Sequence, residues 1–193
     1  MSTPKADRRT QRTRRLLEQA LVALTIEKRY DQITVQDIID RADVGRSTFY
    51  AHYRDKEDLL VSSVDTMFED LTSQLDARTQ GSGSLVPALE LFEHVTSHQG
   101  LYEALVWGRG IEVIFKQGQT VLSQQMEERL AATLPAGSQP PVPLPVTATY
   151  LASALLNLLR WWVDHKMPYP PAQMADIFDR LVMPGVHAAL AVD

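Results

Sequence analysis

Residues 33–60, ITVQDIIDRADVGRSTFYAHYRDKEDLL, constrain the fold of this chain more than any other stretch. Their apolar spacing predicts a short helix, a tight turn, a second short helix and the start of a third. Thr34 is a good N-cap, and Asp37 stands where a capping box expects its partner. Asp43 follows where the chain must reverse, because Asp tolerates the left-handed backbone conformation better than most residues. The pattern therefore predicts a helix-turn-helix unit.

The two short helices each have a face that should pack inward. On the first helix this face consists of Ile38, Ile39 and Ala42. On the second helix, Phe49 and Tyr53 are four residues apart and share one face. The other polar and aromatic side chains are left to face outward: Arg46, Thr48, Tyr50 and His52. The unit is therefore expected to have a core and an exposed polar surface.

The exposed surface suits contact with a DNA duplex. In helix-turn-helix units the second helix enters the major groove with its N-terminal residues leading. The small residues Gly45, Ser47 and Thr48 allow a close approach of the backbone. Arg46 is suited to guanine O6 and N7, and Tyr50 to a phosphate or a thymine methyl group. We therefore expect this surface to bind DNA.

An arginine-dense arm, RRTQRTRR, precedes the unit. Residues 1–60 carry 12 Lys+Arg and 10 Asp+Glu, whereas residues 61–193 carry 7 and 14. The whole chain has a formal charge of −5, which makes it a poor non-specific binder of nucleic acid. Because positive charge is concentrated beside the helix-turn-helix, we expect Arg8, Arg9 and Arg12 to contact DNA. The alternative is a solvated, disordered basic tail.

From about Arg9 to Asp65 the chain resembles the DNA-binding domain of the tetracycline-repressor (TetR) family of bacterial transcription regulators. The matching elements are LLEQALVAL, YDQITVQDIIDRADV and STFYAHYRDKEDLL. One departure is Asp43, where the family commonly has glycine. The resemblance implies base or groove contacts from Arg46, Ser47, Thr48 and Tyr50. It implies phosphate contacts from Thr34, Tyr50, His52 and Lys56. It also implies that Phe49 is core and that the amide of Gly45 lies near the DNA backbone.

The apolar spacing predicts an all-α fold with an N-terminal helix-turn-helix three-helix domain and a C-terminal helical domain. The resemblance implies that the C-terminal domain serves ligand binding and dimerisation. The first domain, with the basic arm, covers residues 1–60 and the second covers residues 61–193. Further helices are expected at about 56–79, 85–100, 101–107, 111–134, 146–166 and 172–183. GSGS at 81–84 interrupts this series, and PAGSQPPVPLP forms a surface loop. Pro184, followed by glycine, is expected to end or kink the last helix.

Several classes of protein are disfavoured by what the sequence lacks. No cysteine is present, so neither disulfides nor thiol chemistry is expected. No uninterrupted apolar run reaches about 18 residues, so no membrane span is expected. Met1 leads straight into polar sequence, which predicts a cytoplasmic protein. Because there is no Gly-rich phosphate loop, nucleophile elbow or metal motif, we expect neither an enzyme nor a cofactor.

The helix at 146–166 is apolar over most of its circumference, and such a helix must be covered on more than one side. One side is expected to belong to the core of its own domain and the other to contact a second copy of the chain. The resemblance implies the same, because the last two helices of that family pair with their twins in a four-helix bundle. We expect the homodimer contact to use Leu151, Leu155, Leu159, Trp162 and Phe178. Burial in a compact monomer is the alternative.

One line of the same helix is polar, because Ser153, Asn157, Arg160 and Asp164 fall on one face. This polar line is interpreted as the polar wall of an effector pocket, in which Asn157 or Arg160 supplies a polar contact. The alternatives are a solvent edge or hydrogen bonds across a dimer. Pairing of Arg160 with Asp164 would make the pocket neutral and favour an apolar or aromatic effector. The resemblance implies an effector pocket among these helices, and the candidates for its apolar wall are Met67, Phe68, Phe92, Tyr102, Trp107, Phe115 and Trp161. A core role for each of them is the alternative.

One further set of side chains, Glu90, His94 and His98, has the spacing of three metal ligands on one helix face. No fourth ligand or supporting shell is apparent. A surface stripe is therefore the favoured interpretation, and no metal site is predicted.

Together these features predict a transcription regulator that binds double-stranded operator DNA. We expect a homodimeric repressor that an unknown small-molecule effector releases, with the 56–79 helix acting as a lever. The alternative is a DNA-associated structural or nucleoid-binding dimer without a working effector site.

Overall fold

The computed structural model describes residues 4–79, 86–106, 110–135 and 137–190, and within these ranges its regular structure is helical and contains no strand. The helices are α1 (Pro4–Glu27), α2 (Val35–Ala42), α3 (Arg46–Tyr50), α4 (Lys56–Thr79), α5 (Ala88–Ser97), α6 (Gln99–Val106), α7 (Gly110–Thr133), α8 (Leu144–Asp164) and α9 (Pro171–Leu190). A short 3-10 turn, Tyr30–Gln32, lies between α1 and α2. The predicted all-α fold is confirmed. Two features of the prediction, GSGS at 81–84 and Trp107, lie outside the described residues.

The last helix does not end at Pro184, one of the two outcomes expected there, but continues to Leu190. A proline inside a helix removes one backbone hydrogen bond and costs roughly 3 kcal/mol. Val186 and Leu190, both beyond the proline, are buried. Burial of these side chains offsets the missing bond.

Over the part of the chain that the structure describes, no helix has the length and apolarity to cross a membrane.

Residues 1–64 and 100–114 form one compact unit, in which α1 packs against α2 and α2 against α3. Its core is drawn from α1 to α4 and includes Leu17, Leu21, Leu24, Ile38, Ile39, Ala42, Phe49, Tyr53 and Leu59. The predicted burial of Ile38, Ile39 and Ala42 on α2 and of Phe49 on α3 is confirmed. Tyr53 is also buried, but it lies beyond the end of α3. The buried side chains of α2 and α3 hold the two helices together on either side of the turn that joins them.

Residues 65–99 and 115–193 form the second compact unit, in which α9 packs against both α5 and α8. The rings of Phe92 in α5 and Trp162 in α8 meet edge to face, with their centres 5.1 Å apart. A Cβ atom added to Gly118 in α7 would lie 3.0 Å from the ring of Phe68. Glycine therefore allows the close approach of α7 to that ring.

The structure corrects the expected assignment of the faces of α8. The residues predicted to contact a second subunit are at most 4% exposed within one chain: Leu151, Leu155, Leu159, Trp162 and Phe178. They are not available to a partner, because helices of the same unit, among them α5 and α9, cover them. The exposed apolar residues of α8 are different ones, namely Val146, Tyr150 and Trp161.

Candidate nucleic-acid interface

A reciprocal capping box begins α2. The Thr34 hydroxyl accepts from the Asp37 amide at 3.2 Å, and Asp37 Oδ2 accepts from the Thr34 amide and hydroxyl, both at 2.7 Å. Lys28 Nζ lies 2.8 Å from the same carboxylate, and this hydrogen bond, with those from Thr34, lowers the pKa of Asp37. The predicted cap is confirmed. In this conformation, however, the Thr34 hydroxyl proton and amide both bind Asp37, so neither is available for the phosphate contact that the resemblance implies.

The turn between α2 and α3 uses the left-handed conformation at Asp43, with φ 52° and ψ 49°. The amide of Val44 then donates to the carbonyl of Ile39 at 3.1 Å. Glycine adopts this conformation without the steric cost that it carries for other residues, and Asp is among those that adopt it most readily. Asp43 therefore supports the turn that the sequence predicted, despite the departure from the family's glycine.

Helix α1 is tied to α2 by a two-pronged ion pair. Arg41 Nη1 and Nη2 lie 2.9 and 2.6 Å from the two carboxylate oxygens of Glu27. The hydrogen bonds and charge of Arg41 lower the pKa of Glu27. Both side chains are exposed, so the pair stabilises the fold modestly. Its main effect is geometric, because the planar fork fixes the end of α1 against α2.

Helix α3 is anchored by Phe49, which is fully buried, and by Tyr53, which is 3% exposed. Arg46, Ser47 and Tyr50 are exposed on the other side of the helix. Thr48 and His52 are half-buried. The structure therefore brings all five predicted contact residues to one short helix and its C-terminal turn.

Gly45 occupies the N-cap position of α3 with an extended conformation, φ −70° and ψ 150°. A Cβ atom added there would meet only Thr48 Oγ1 at 3.7 Å and Ser47 Oγ at 3.9 Å, which are ordinary contacts. Neither the backbone conformation nor the packing of the chain requires glycine at this position. A close approach by another molecule would account for it.

The sequence did not single out Gln36, which connects α2 to the exposed face of α3. Arg46 Nη1 donates to Gln36 Oε1 at 3.3 Å, and the guanidinium carbon lies 5.7 Å from the centre of the Tyr50 ring. Gln36 also donates to Asp40 Oδ1 at 2.8 Å. The signal present in the sequence was a long polar residue in the first turn of α2, four residues before a carboxylate.

Lys56 has a different role from the one that the resemblance implies. Its ammonium donates to the carbonyls of Tyr30, Asp31 and Ile33 at 2.9, 3.3 and 2.7 Å. It also lies 4.6 Å from the centre of the Tyr30 ring, and burial lowers its pKa. An ammonium has three protons, and all three are used here. The phosphate contact predicted for Lys56 would require one of these bonds to break.

The described part of the basic arm is helical, because α1 begins at Pro4. The alternative of a disordered tail is therefore wrong for that part. Arg8, Arg9 and Arg12 are exposed. Arg8, Arg12 and Arg15 follow helical spacing and form one exposed basic stripe.

The predicted polar wall of an effector pocket lies on an exposed face instead. Asn157, Arg160 and Trp161 are all exposed, and Asn157 donates to the carbonyl of Ser153 at 2.8 Å. Arg160 Nε lies 3.9 Å from Asp164 Oδ2, which is the favoured pairing. The assignment of these three residues to a pocket wall within one chain is therefore corrected, because α8 turns them away from its own core.

The other predicted effector residues have mixed surroundings. Phe68 and Phe92 are buried in the second unit, where Met67 and Phe115 are half-buried. Tyr102 is buried in the first unit, and burial raises its pKa. Clefts in the described residues include one of about 860 Å³ lined by Tyr30, Asp31, Lys56, Glu57, Glu112 and Val113. That cleft contains none of the predicted effector residues.

The Glu90, His94 and His98 stripe has no metal-binding arrangement. The two histidine rings stack with their centres 4.4 Å apart, and burial, then the neighbouring His98, lowers the pKa of His94 to about 4. Glu90 is buried rather than at the surface. Among the described residues, no three His, Cys, Asp or Glu side chains are placed to hold a metal ion.

Two segments of the chain match known families. Residues 17–62 match the family described as bacterial regulatory proteins, tetR family, and residues 87–184 match a family described as transcriptional regulator C-terminal region. The chain is 28% identical over 182 residues to the uncharacterized HTH-type transcriptional regulator YxbF of Bacillus subtilis, a match that covers 89% of this chain. It spans only 45% of the length of that curated relative.

Solved structures share the fold. A TetR transcriptional regulator from Streptococcus agalactiae superposes with a TM-score of 0.63 and 24% identity, covering 91% of this chain and 96% of that one. RolR in complex with its ligand resorcinol superposes with a TM-score of 0.58 and 21% identity, covering 95% and 92%. At these identities the likeness establishes the fold.

Proposed function

The chain belongs to the TetR family of bacterial transcription regulators, and on that premise we propose that it is a homodimeric repressor that a small molecule releases from its operator. Regulation of transcription through DNA binding is the role of the family. Repression, the dimer and the release are the proposal. The observation that most supports DNA reading by this chain is the exposed row of Arg46, Ser47 and Tyr50 on a helix that is anchored by buried Phe49.

In the proposed complex the N-terminal end of α3 enters the major groove. Arg46 donates to guanine O6 and N7, while Ser47 and Thr48 contact base edges nearby. Tyr50, which is 49% exposed, reaches a phosphate or a thymine methyl. The basic stripe of α1 contacts phosphates and contributes affinity without sequence preference.

The proposed dimer uses the outer faces of α8 and α9. Val146 and Tyr150 are each 57% exposed, Trp161 is 42% exposed, and Leu181 in α9 is 70% exposed. Because these large apolar side chains are so exposed on two packed helices, we infer that a second copy of the chain covers them. Asn157 lies on the same face of α8 as Tyr150 and Trp161, which favours polar contacts across a dimer as the role of this residue.

A dimer is also what the proposed reading of DNA requires. A two-fold operator is matched by a two-fold protein that places its recognition helices roughly 34–36 Å apart, or a multiple of that distance. An effector would act by favouring a dimer with another separation, and α4 is the proposed lever. To release the operator, the effector must bind the released state more tightly than the DNA-bound state.

The effector is proposed to be apolar or aromatic. The aromatic residues Phe68, Phe92 and Phe115 of the second unit support this class. The fold neighbour RolR is described in complex with the ligand resorcinol, which is aromatic, and this supports an aromatic ligand for a chain of this fold.

The proposal is tested by selecting bound sequences from random duplex DNA with the full chain. We expect a two-fold motif that binds at least about 10³ times more tightly than random duplex. Arg46→Ala should relax the preference at the base pair that Arg46 reads and cost about 1–3 kcal/mol on the operator, as for one lost bidentate base contact. Binding without enrichment of any motif would favour the structural or nucleoid-binding alternative.

The direction of regulation and the effector are tested next with a reporter placed behind the selected operator. A repressor lowers expression, whereas raised expression would indicate an activator. An aromatic ligand library is then screened for loss of operator binding. A ligand that raises the melting temperature but leaves operator affinity unchanged would contradict release by that ligand.

A further inference from the structure

We propose that Gln36 positions Arg46 for recognition of one base pair, and that Asp40 sets the orientation of the Gln36 amide. This inference rests on the proposed function, since it requires Arg46 to read a base. Gln36 is thus a positioning residue of α2, in the helix that precedes the recognition helix. It specifies sequence through Arg46 rather than through a base contact of its own.

Three side chains form a continuous polar chain across the turn between α2 and α3. Asp40 Oδ1 accepts from Gln36 Nε2 at 2.8 Å, and Gln36 Oε1 accepts from Arg46 Nη1 at 3.3 Å. The Tyr50 ring centre lies 5.7 Å from the guanidinium carbon of Arg46. The Arg46 guanidinium therefore has both an amide oxygen and an aromatic ring as neighbours.

The carboxylate of Asp40 decides which end of the amide faces Arg46. A glutamine amide has a donating nitrogen and an accepting oxygen, and the carboxylate accepts only from the nitrogen. With the nitrogen bound to Asp40, the oxygen points to Arg46. Without Asp40, the amide is free to flip, and its nitrogen would present a donor to the guanidinium, which has no acceptor.

This arrangement leaves the recognition edge of Arg46 usable. A guanidinium has five N–H donors in a planar fork, and Gln36 accepts from only one of them. The remaining donors can still bind guanine O6 and N7 in a bidentate contact. Holding the fork before DNA arrives reduces the side-chain entropy that binding must otherwise remove.

The neutral amide has an advantage over a carboxylate at this position. A glutamate at residue 36 would form an ion pair with Arg46 and compete with guanine for the guanidinium. It would also repel the DNA phosphates. Glutamine instead directs Arg46 through a single hydrogen bond and leaves its full positive charge for the DNA.

The test compares base preferences of Gln36→Met, Arg46→Ala and the double variant with those of the wild-type chain. Methionine keeps the length and the helix propensity of glutamine but makes neither hydrogen bond. We expect Gln36→Met to relax the preference at the same base pair as Arg46→Ala and to weaken operator binding roughly 3- to 10-fold, the range of one net hydrogen bond. Affinity for random duplex and its salt dependence should stay unchanged.

The double variant should bind the operator no more weakly than Arg46→Ala alone, because Gln36 acts through Arg46. Asp40→Ala should show the same relaxed base pair with a smaller effect. Gln124→Met is the matched control, since Gln124 donates to Glu128 at 3.3 Å on α7 with the same four-residue spacing. It should leave every base preference unchanged.

A second readout uses the free protein and does not depend on an operator. The NMR order parameter of the Arg46 Nε–H bond should fall in Gln36→Met and Asp40→Ala, but not in Gln124→Met. An unchanged order parameter would show that Gln36 does not hold Arg46 and would overturn the inference.

The outcomes separate this inference from the proposed function. If the wild-type chain selects a motif but Gln36→Met relaxes a different base pair, additively with Arg46→Ala, Gln36 reads its own base and positioning is overturned. If Gln36→Met changes no preference, positioning is overturned as well. If the wild-type chain selects no motif, the proposed function fails and the inference fails with it.

Discussion

The ammonium of Lys56 donates to the backbone carbonyl of Ile33 across 23 residues of sequence, at an N–O distance of 2.7 Å. This bond joins the first residue of α4 to the segment that leads into α2. A cation at a helix N-terminus is normally unfavourable. Here the carbonyl oxygens around it offset that cost, and the contact holds two elements of the helix-turn-helix unit together.

Replacing Lys56 by methionine should therefore lower the free energy of unfolding by about 2 kcal/mol or more, because the backbone carbonyls would then lack their charged donor. The measurement is chemical denaturation, with Lys116→Met on the exposed face of α7 as the control. If Lys56 instead contacts a phosphate, its replacement should affect DNA binding rather than stability. A stable Lys56→Met variant whose DNA affinity has a flatter salt dependence would identify Lys56 as a phosphate contact.

The capping box of α2 should make stability depend on acid pH. Hydrogen bonds from Lys28 and Thr34 lower the pKa of Asp37 below its unfolded value, so the carboxylate stabilises the fold above about pH 4. That stability is lost as the pH falls through the lower, folded pKa. The difference in unfolding free energy between wild type and Asp37→Ala should therefore be largest near pH 7 and shrink below about pH 4.

Asp70→Ala, on the exposed surface of α4, is the control for the acid titration. It measures how much the loss of an exposed aspartate elsewhere changes the free energy of unfolding. A constant difference for Asp37→Ala between pH 7 and pH 2 would show that its ionised form does not stabilise the fold.

Gly45→Ser should separate folding from DNA binding. Serine caps helices well, and its Cβ would make only ordinary contacts, so the melting temperature should change little. If the amide of Gly45 lies near the DNA backbone, as the resemblance implies, the added side chain should weaken operator binding roughly tenfold or more. Gly100→Ser, at another position with open space around it, is the control. Full operator affinity in Gly45→Ser would show that no close approach occurs there.

The corrected dimer surface predicts different effects for exposed and buried positions. Leu181→Glu and Trp161→Glu should fold normally but sediment as monomers, because the new charge must be desolvated only in the dimer. Leu155→Glu should unfold the chain, because Leu155 is fully buried within its own unit. Sedimentation and circular dichroism at micromolar concentration distinguish the two results. The proposed surface would be contradicted if the wild-type chain sedimented as a monomer. It would also be contradicted if Leu181→Glu and Trp161→Glu both remained dimers.

The basic stripe of α1 should account for part of the salt dependence of DNA binding. Arg8→Ala combined with Arg12→Ala should weaken operator and random duplex alike. The slope of log K against log salt should flatten by about 0.9 for each phosphate that the variant no longer neutralises. Lys116→Ala with Arg180→Ala removes the same charge elsewhere and should leave the slope nearly unchanged. Equal slopes for the two double variants would show that the arm touches no phosphates.

Much of the helix-turn-helix unit was predictable because its determinants are local. The Thr34–Asp37 cap, the left-handed Asp43 and the inward pair Phe49 and Tyr53 each depend on residues no more than four apart. Such features follow from helix geometry and backbone sterics alone. The helix boundaries were close for the same reason. The exception was α9, where burial of Val186 overrode the local preference of Pro184.

The sequence by itself thus determined the helices, their caps and the exposed row on α3. Only the tertiary structure decided which faces of α8 are covered, where the Lys56 ammonium binds, and that Gln36 contacts Arg46. These features depend on how segments that are distant in the sequence pack together. A helix that is apolar on most of its sides does not itself specify which of its faces the rest of its own chain will cover. Leu155 was therefore assigned to a partner although it lies in the core, whereas Leu181, which is exposed, gave no signal in the sequence.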